Sequence, residues 1–172
     1  CEDVDGVRFL VEMQNWSQHY FNKRAVYYSS FAIQDQAAKE KRHQLKTLKK
    51  DKWDYNFAPV YLVCFLTFNM KRDLPELTKV KEDDYISIYK YMDVETNELL
   101  EDGTTLIFIE LKKFSKSLKE CGTEKDRWIC SLKSMGDQLE MPKELSGTIL
   151  QTMYDKAALA AMSPEKRTIY IS

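Results

Sequence analysis

The chain has 172 residues, 44% of them apolar and 12% aromatic, with only 5 Gly and 4 Pro. That composition supports a buried core and excludes a disordered or fibrous chain. The formal net charge of −1 gives no overall pull toward nucleic acid, so a nucleic-acid-binding chain of this sequence has to concentrate its cations locally.

Residues 7–14 alternate as a strand, with Val7, Phe9, Val11 and Met13 on one face and Arg8, Leu10, Glu12 and Gln14 on the other. The dipeptide Asp5-Gly6 before it is a turn signal, so an earlier strand could pair here. From Ser17, a candidate N-cap, the period changes. Tyr20, Arg24, Tyr27, Tyr28, Phe31 and Gln34 recur at helical spacing, which predicts a long helix with these residues on its apolar face. The helix is expected to run through Ala37 and Ala38 into a basic stretch, residues 39–52.

Residues 59–68 (PVYLVCFLTF) are almost wholly apolar and rich in β-branched and aromatic side chains, the mark of a buried strand. Strand, long helix and buried strand make a βαβ crossover, which places the two strands parallel. Residues 85–92 and 106–111 predict two more strands, joined by a turn near Glu101, Asp102 and Gly103. A helix is expected over 124–135 with Thr123 as its N-cap, and Pro142 separates it from an amphipathic helix over 148–162. Ser163-Pro164-Glu165 starts a further helical turn. Trp128 and Tyr154 are placed in the core. The expected organisation is a main domain over 1–138 and a helical C-terminal segment over 139–172.

The cysteines Cys1, Cys64, Cys121 and Cys130 show no CxxC spacing, and His19 and His43 are the only histidines, so no zinc site is expected. Reduced thiols in a cytoplasmic protein fit this pattern. No stretch is apolar for the roughly 18 residues that a membrane span needs, and no signal peptide is evident. The chain starts at Cys1, directly before a strand-like run, and is expected to lack an N-terminal part.

Two segments carry carboxylates in a pattern suited to metal-dependent phosphodiester cleavage. That chemistry needs acidic oxygens around a hard cation and a group that orients the attacking water. On a strand, two residues spaced two apart share a face. The first segment is Glu12-Met13-Gln14, with Gln where PD-(D/E)XK nucleases usually have Lys. The second is Glu110-Leu111-Lys112, with Asp102 eight residues earlier. The second fits the letters better, yet no strand follows it and Asp102 falls in a tight turn. The first is followed by the long helix and buried strand that such a core requires, so topology favours Glu12 and Gln14. A solvated edge strand is the plain alternative for that pair, and a charged helix end is the plain alternative for residues 39–52.

Four blocks then carry a family resemblance: VEMQNWSQHYFNKRAVYYSS, WDYNFAPVYLVCFLTF, IFIELKKF and EKDRWICSLKS, in this order. Together they resemble the recombination-promoting nucleases (Rpn), also described as transposases, of the PD-(D/E)XK superfamily. The resemblance implies an α/β fold, a restriction-endonuclease-like core with a mixed sheet and C-terminal helices. It implies a Mg²⁺-dependent DNA endonuclease, with Mn²⁺ as a substitute. It places the chemistry on an upstream Asp and a Glu-x-Gln that matches Glu12 and Gln14, with the Met13 backbone carbonyl as a further metal ligand. Arg24 and Gln36 match positions implied to contact substrate. The later block matches Glu110, Leu111, Lys113 and Phe114 and is not where the chemistry is placed.

Two departures stand out. The Asp is expected a few residues before Cys1, and neither Asp3 nor Asp5 replaces it. The short Gly-containing link that follows the helix in that family is here the longer basic stretch. Gln is neutral, so it stabilises developing negative charge less than Lys would, and slow cleavage is expected. The alternative is a catalytically degenerate nuclease-fold module used for protein binding or self-association as a homo-oligomer, with the helix over 148–162 as its contact.

Overall fold

The long helix packs on the sheet through its small residues. In the computed structural model, which describes residues 7–15, 20–70, 85–100, 103–135 and 141–161, this helix is α1, Phe21–Arg42. Its buried residues are Phe21, Ala25, Ser29, Ala32 and Gln36. Small side chains at Ala25, Ser29 and Ala32 let the backbone approach the strands closely. The aromatic stripe expected to face the core lies outside instead: Tyr27 is 59% and Phe31 50% exposed. Periodicity identified the helix correctly but named the wrong face. Apolar spacing alone cannot distinguish a face that packs through Ala and Ser from one rich in rings.

Four strands form one sheet: β1 (Arg8–Gln14), β2 (Val60–Leu66), β3 (Ile86–Lys90) and β4 (Thr104–Glu110). Their order is β1-β2-β4-β3. The pairs β1·β2 and β2·β4 are parallel and β3·β4 is antiparallel. The crossover through α1 thus gives the expected parallel pair, and the sheet is mixed, as in a restriction-endonuclease-like core. The run 59–68 supplies the central strand, with Val60, Cys64 and Leu66 wholly buried.

The register sorts the residues into rows. Glu12 pairs with Cys64 and Cys64 with Phe108; Gln14 pairs with Leu66 and Leu66 with Glu110. Partners in adjacent strands project to the same face. That face therefore carries Leu62, Cys64, Leu66, Leu106 and Phe108, which form a core cluster with Phe21 and Ala25 of α1. Phe21 closes it, its ring 5.1 Å from that of Phe108 and 6.0 Å edge-on from that of Phe68. The opposite face holds the row Val11, Val63, Ile107 and Ile88, whose outer members are exposed.

After α1 the chain makes a π-helical turn, His43–Thr47. The buried Gln44 then organises the loop that leads to β2. Its amide nitrogen donates to the Asn56 carbonyl at 3.2 Å, and its Oε1 accepts from the Asp54 N–H at 3.3 Å. Lys49 and Tyr55 in this loop adopt positive φ, 53° and 61°, the left-handed conformation that lets it turn back to the sheet.

The chain divides into two compact units, Cys1–Lys113 and Phe114–Ser172. The second contains α2 (Glu124–Ser134) and α3 (Ile149–Ala161). Thr123 caps α2 as expected, its hydroxyl accepting from the Asp126 N–H at 3.1 Å. Leu145, Leu150 and Tyr154 form this unit's apolar cluster, with Trp128, Met135 and Met153 packed on it. Among the described residues no helix is long and apolar enough to cross a membrane. The Ser17 cap, the turns at Asp5-Gly6 and Glu101-Asp102, and the turn at Ser163-Pro164-Glu165 lie outside the described residues.

Candidate functional site

Glu12 and Gln14 emerge side by side near the C-terminal end of β1, on the face that α1 covers. Strand alternation puts them there, and the helix brings Arg24 over them. One guanidinium nitrogen, Nη2, donates to Glu12 Oε1 at 3.0 Å and also to Gln14 Oε1. The site is half-enclosed: Glu12 and Arg24 side chains are about a quarter exposed, while Gln14 is buried. Glu12 Oε2 carries no hydrogen bond among the described residues. The Arg24 guanidinium also lies over the Tyr28 ring, 6.0 Å from its centre. A charge on the aromatic side of α1 is thus explained: it reaches round the helix to the strand.

Beneath this group lies Cys64, the partner of Glu12 on β2. Burial pushes its thiol up to about 12, with the Glu12 charge adding to the shift and Arg24 opposing it. The thiol is a neutral floor and not a nucleophile.

The end of β1 is fixed by a residue that the sequence pattern did not single out. Thr67, just past β2, donates its backbone N–H to the Gln14 carbonyl at 3.1 Å and its hydroxyl to the Asn15 carbonyl at 2.9 Å. A hydroxyl near the end of an otherwise apolar run was the available signal. This bond also orients Met13. Successive strand carbonyls point to opposite sides. With the Gln14 carbonyl turned to β2, the Met13 carbonyl faces the other side of β1, where no described strand lies.

Gln36 is not gathered with the others. It is buried on α1 near Asp35, which pairs with Arg8 at the start of β1. Twelve residues separate it from Arg24, about 18 Å along the helix.

The second carboxylate motif is built differently from the first. Glu110 is the last residue of β4, and Leu111–Lys113 form a 3-10 turn, so Lys112 does not share a strand face with it. Glu110 is completely buried, accepting from the Met70 N–H at 2.6 Å and from Lys113 Nζ at 3.0 Å. Its carboxylate ties the exit of β2 to the exit of β4. Asp102 lies outside the described residues.

A hard divalent cation takes oxygen ligands. Glu12 Oε2 and the edge-facing Met13 carbonyl supply two within two residues, which fits one side of such a site. Among the described residues no three His, Cys, Asp or Glu side chains converge as a metal site. The parallel βαβ unit brings a carboxylate and an amide near the end of β1 under a basic residue from its crossover helix, residue types that phosphodiester chemistry can use. The sequence pattern of the PD-(D/E)XK nuclease family transposase matches residues 1–172, and the chain belongs to that family. No curated protein and no solved structure matches it. The resemblance carried by the four sequence blocks therefore holds.

Proposed function

We propose that this protein is a Mg²⁺-dependent DNA endonuclease that cuts slowly, with its site at Glu12, Met13, Gln14 and Arg24. The observation that carries the reading is the convergence of Glu12 and Gln14 under Arg24 at the end of β1, in a chain whose family is one of nucleases. The Glu12 carboxylate and the Met13 carbonyl would hold the cation. When bound, the cation would supply Lewis-acid chemistry, polarising the scissile phosphate and activating the attacking water.

The protein's own residues do the rest. Gln14, held by Arg24 and by the Thr67 clamp on its carbonyl, presents an amide able to orient the water or the phosphate. Arg24 supplies positive charge within reach of a phosphate and keeps both side chains in one geometry. The neutral Gln14 stabilises the developing charge less than Lys, hence the slow rate. Gln36 contacts substrate in the family's implied scheme, but it is buried on α1 and about 18 Å along the helix from Arg24, so the proposed site does not include it. The setting is cytoplasmic, in keeping with the free thiols of Cys64, Cys121 and Cys130.

Plasmid nicking in Mg²⁺ and in Mn²⁺ is the test. Nicking should disappear with EDTA and fall at least about a hundredfold in Glu12→Ala. Nicking that survives Glu12→Ala sinks the assignment. One observation favours a second reading, a degenerate nuclease-fold module that binds a partner or itself: Arg24 already neutralises Glu12. If calorimetry finds neither Mg²⁺ nor Mn²⁺ bound, with no nicking, that reading replaces the first.

A further inference from the structure

The outer face of α1 carries rings that a folded domain normally buries. Tyr20, Tyr27 and Phe31 are all at least half exposed. At 100° per residue they lie on one stripe with Lys23, Gln34, Ala38 and Lys41, opposite the buried stripe of Ala25, Ser29 and Ala32. The Tyr27 and Phe31 rings meet edge to face at 4.7 Å, which leaves flat ring surface open. Lys23 lies 5.6 Å over the Tyr20 ring, and Lys41 lies 5.5 Å over Trp53 beyond the helix's far end. Rings and cations thus share one stripe about 32 Å long, from Tyr20 to Lys41.

Charge decides what such a stripe can meet. Positions 20–52 hold 9 Lys and Arg against 3 Asp and Glu, a net of +6. The remaining residues hold 17 against 24, a net of −7, so the whole chain's −1 conceals a strong separation. A second copy docking through this stripe would bring +6 against +6 across a helix pair, which is repulsive. A polyanion is attracted. Paired bases are enclosed within a duplex and cannot lie on a protein ring, whereas unpaired bases can.

We infer that the outer face of α1 binds an unpaired nucleic-acid strand, its bases stacking on Tyr27 and Phe31 and its phosphates held by Lys23 and the basic stretch 39–52. This rests on the reading of DNA as substrate but not on cleavage. It deepens that reading, because the stripe flanks Arg24. A strand stacked there is led to Glu12 and Gln14, and the favoured substrate is DNA with an unpaired segment.

The experiment is fluorescence anisotropy in EDTA with the full chain. The probes are a labelled oligo-dT of about twenty nucleotides and its duplex with oligo-dA. The single strand should bind more tightly than the duplex. Replacing both rings (Tyr27→Ala with Phe31→Ala) should weaken single-strand binding at least about tenfold and leave duplex binding within about twofold, because two stacking platforms are removed. Tyr27→Phe should retain binding. Both rings are exposed, so thermal melting of the double variant should match the parent. Equal loss on both probes, or no loss on either, overturns the inference. So does a change in light-scattering mass in the double variant, which would make this face a contact between copies. Metal is absent throughout, so a failure of nicking leaves this result intact. Failure of both oligonucleotides to bind removes the inference and the DNA reading together.

Discussion

Two carboxylates on the sheet, Glu12 and Glu110, differ in burial, and only Glu12 is open enough for the chemistry proposed for it. Glu12 has one oxygen on Arg24 and the other without a hydrogen bond among the described residues. Glu110 is sealed, held by a backbone N–H and an ammonium. A buried ion pair broken from one side leaves an uncompensated charge, so Glu110→Ala should destabilise the protein by about 3 to 5 kcal/mol. Glu110→Gln, which still accepts from the Met70 N–H, should cost less. Urea unfolding of the two variants measures the difference, and a loss below about 1 kcal/mol in Glu110→Ala would show that the pair is not what joins β2 to β4. In the sequence the second motif looked the more complete of the two. The spacing of letters says nothing about where a strand ends, and β4 ends at Glu110 itself.

At the scale of elements, polar side chains hold the loop between α1 and β2, beside the stacked rings of Trp53 and Tyr55. Lys50 donates to Asp54 at 2.9 Å, and Asp54 in turn accepts from the Asn56 N–H at 3.0 Å. The Lys50 ammonium first, and then the Asn56 N–H, lower the Asp54 carboxyl from the usual 3.8 to about 2. A folded-state value below the unfolded one means that the contribution is present above about 4 and is lost as pH falls through about 2. Carboxyl chemical shifts should therefore give Asp54 a midpoint near 2. An ordinary midpoint would show that the loop bonds do not persist in solution. Asp93 is lowered in the same direction by the Thr96 and Glu95 N–H groups of the turn after β3. The helix tells the complementary story. Its length was legible from its period, but its buried face was not, because the sheet accepts Ala and Ser where rings would hold the helix away.

For the whole molecule, the relevant quantity is the separation of charge and not its sum. Binding of single-stranded DNA should weaken steeply with salt, since each phosphate neutralised releases counterions. Replacing the exposed Lys46, Lys49 and Lys52 with Gln should reduce the slope of log K against log salt by about 0.7 for each phosphate that is no longer neutralised. Titration of the labelled oligo-dT at several salt concentrations checks this. An unchanged slope would take the basic stretch out of the interface.

What the sequence by itself determined is the order of elements, the parallel crossover, the buried central strand, the cap at Thr123 and the pairing of Glu12 with Gln14 on one strand face. These depend on local period and on chirality, which a chain carries in its own letters. Tertiary structure alone decided that Arg24 turns from the aromatic side of α1 to reach Glu12 and Gln14. It alone decided that Thr67 anchors Gln14, that Gln36 is buried, and that the rings of α1 face outward. Each of these depends on how closely a helix approaches a sheet and on which strand lies beside which, and those distances follow from packing between residues far apart in the chain.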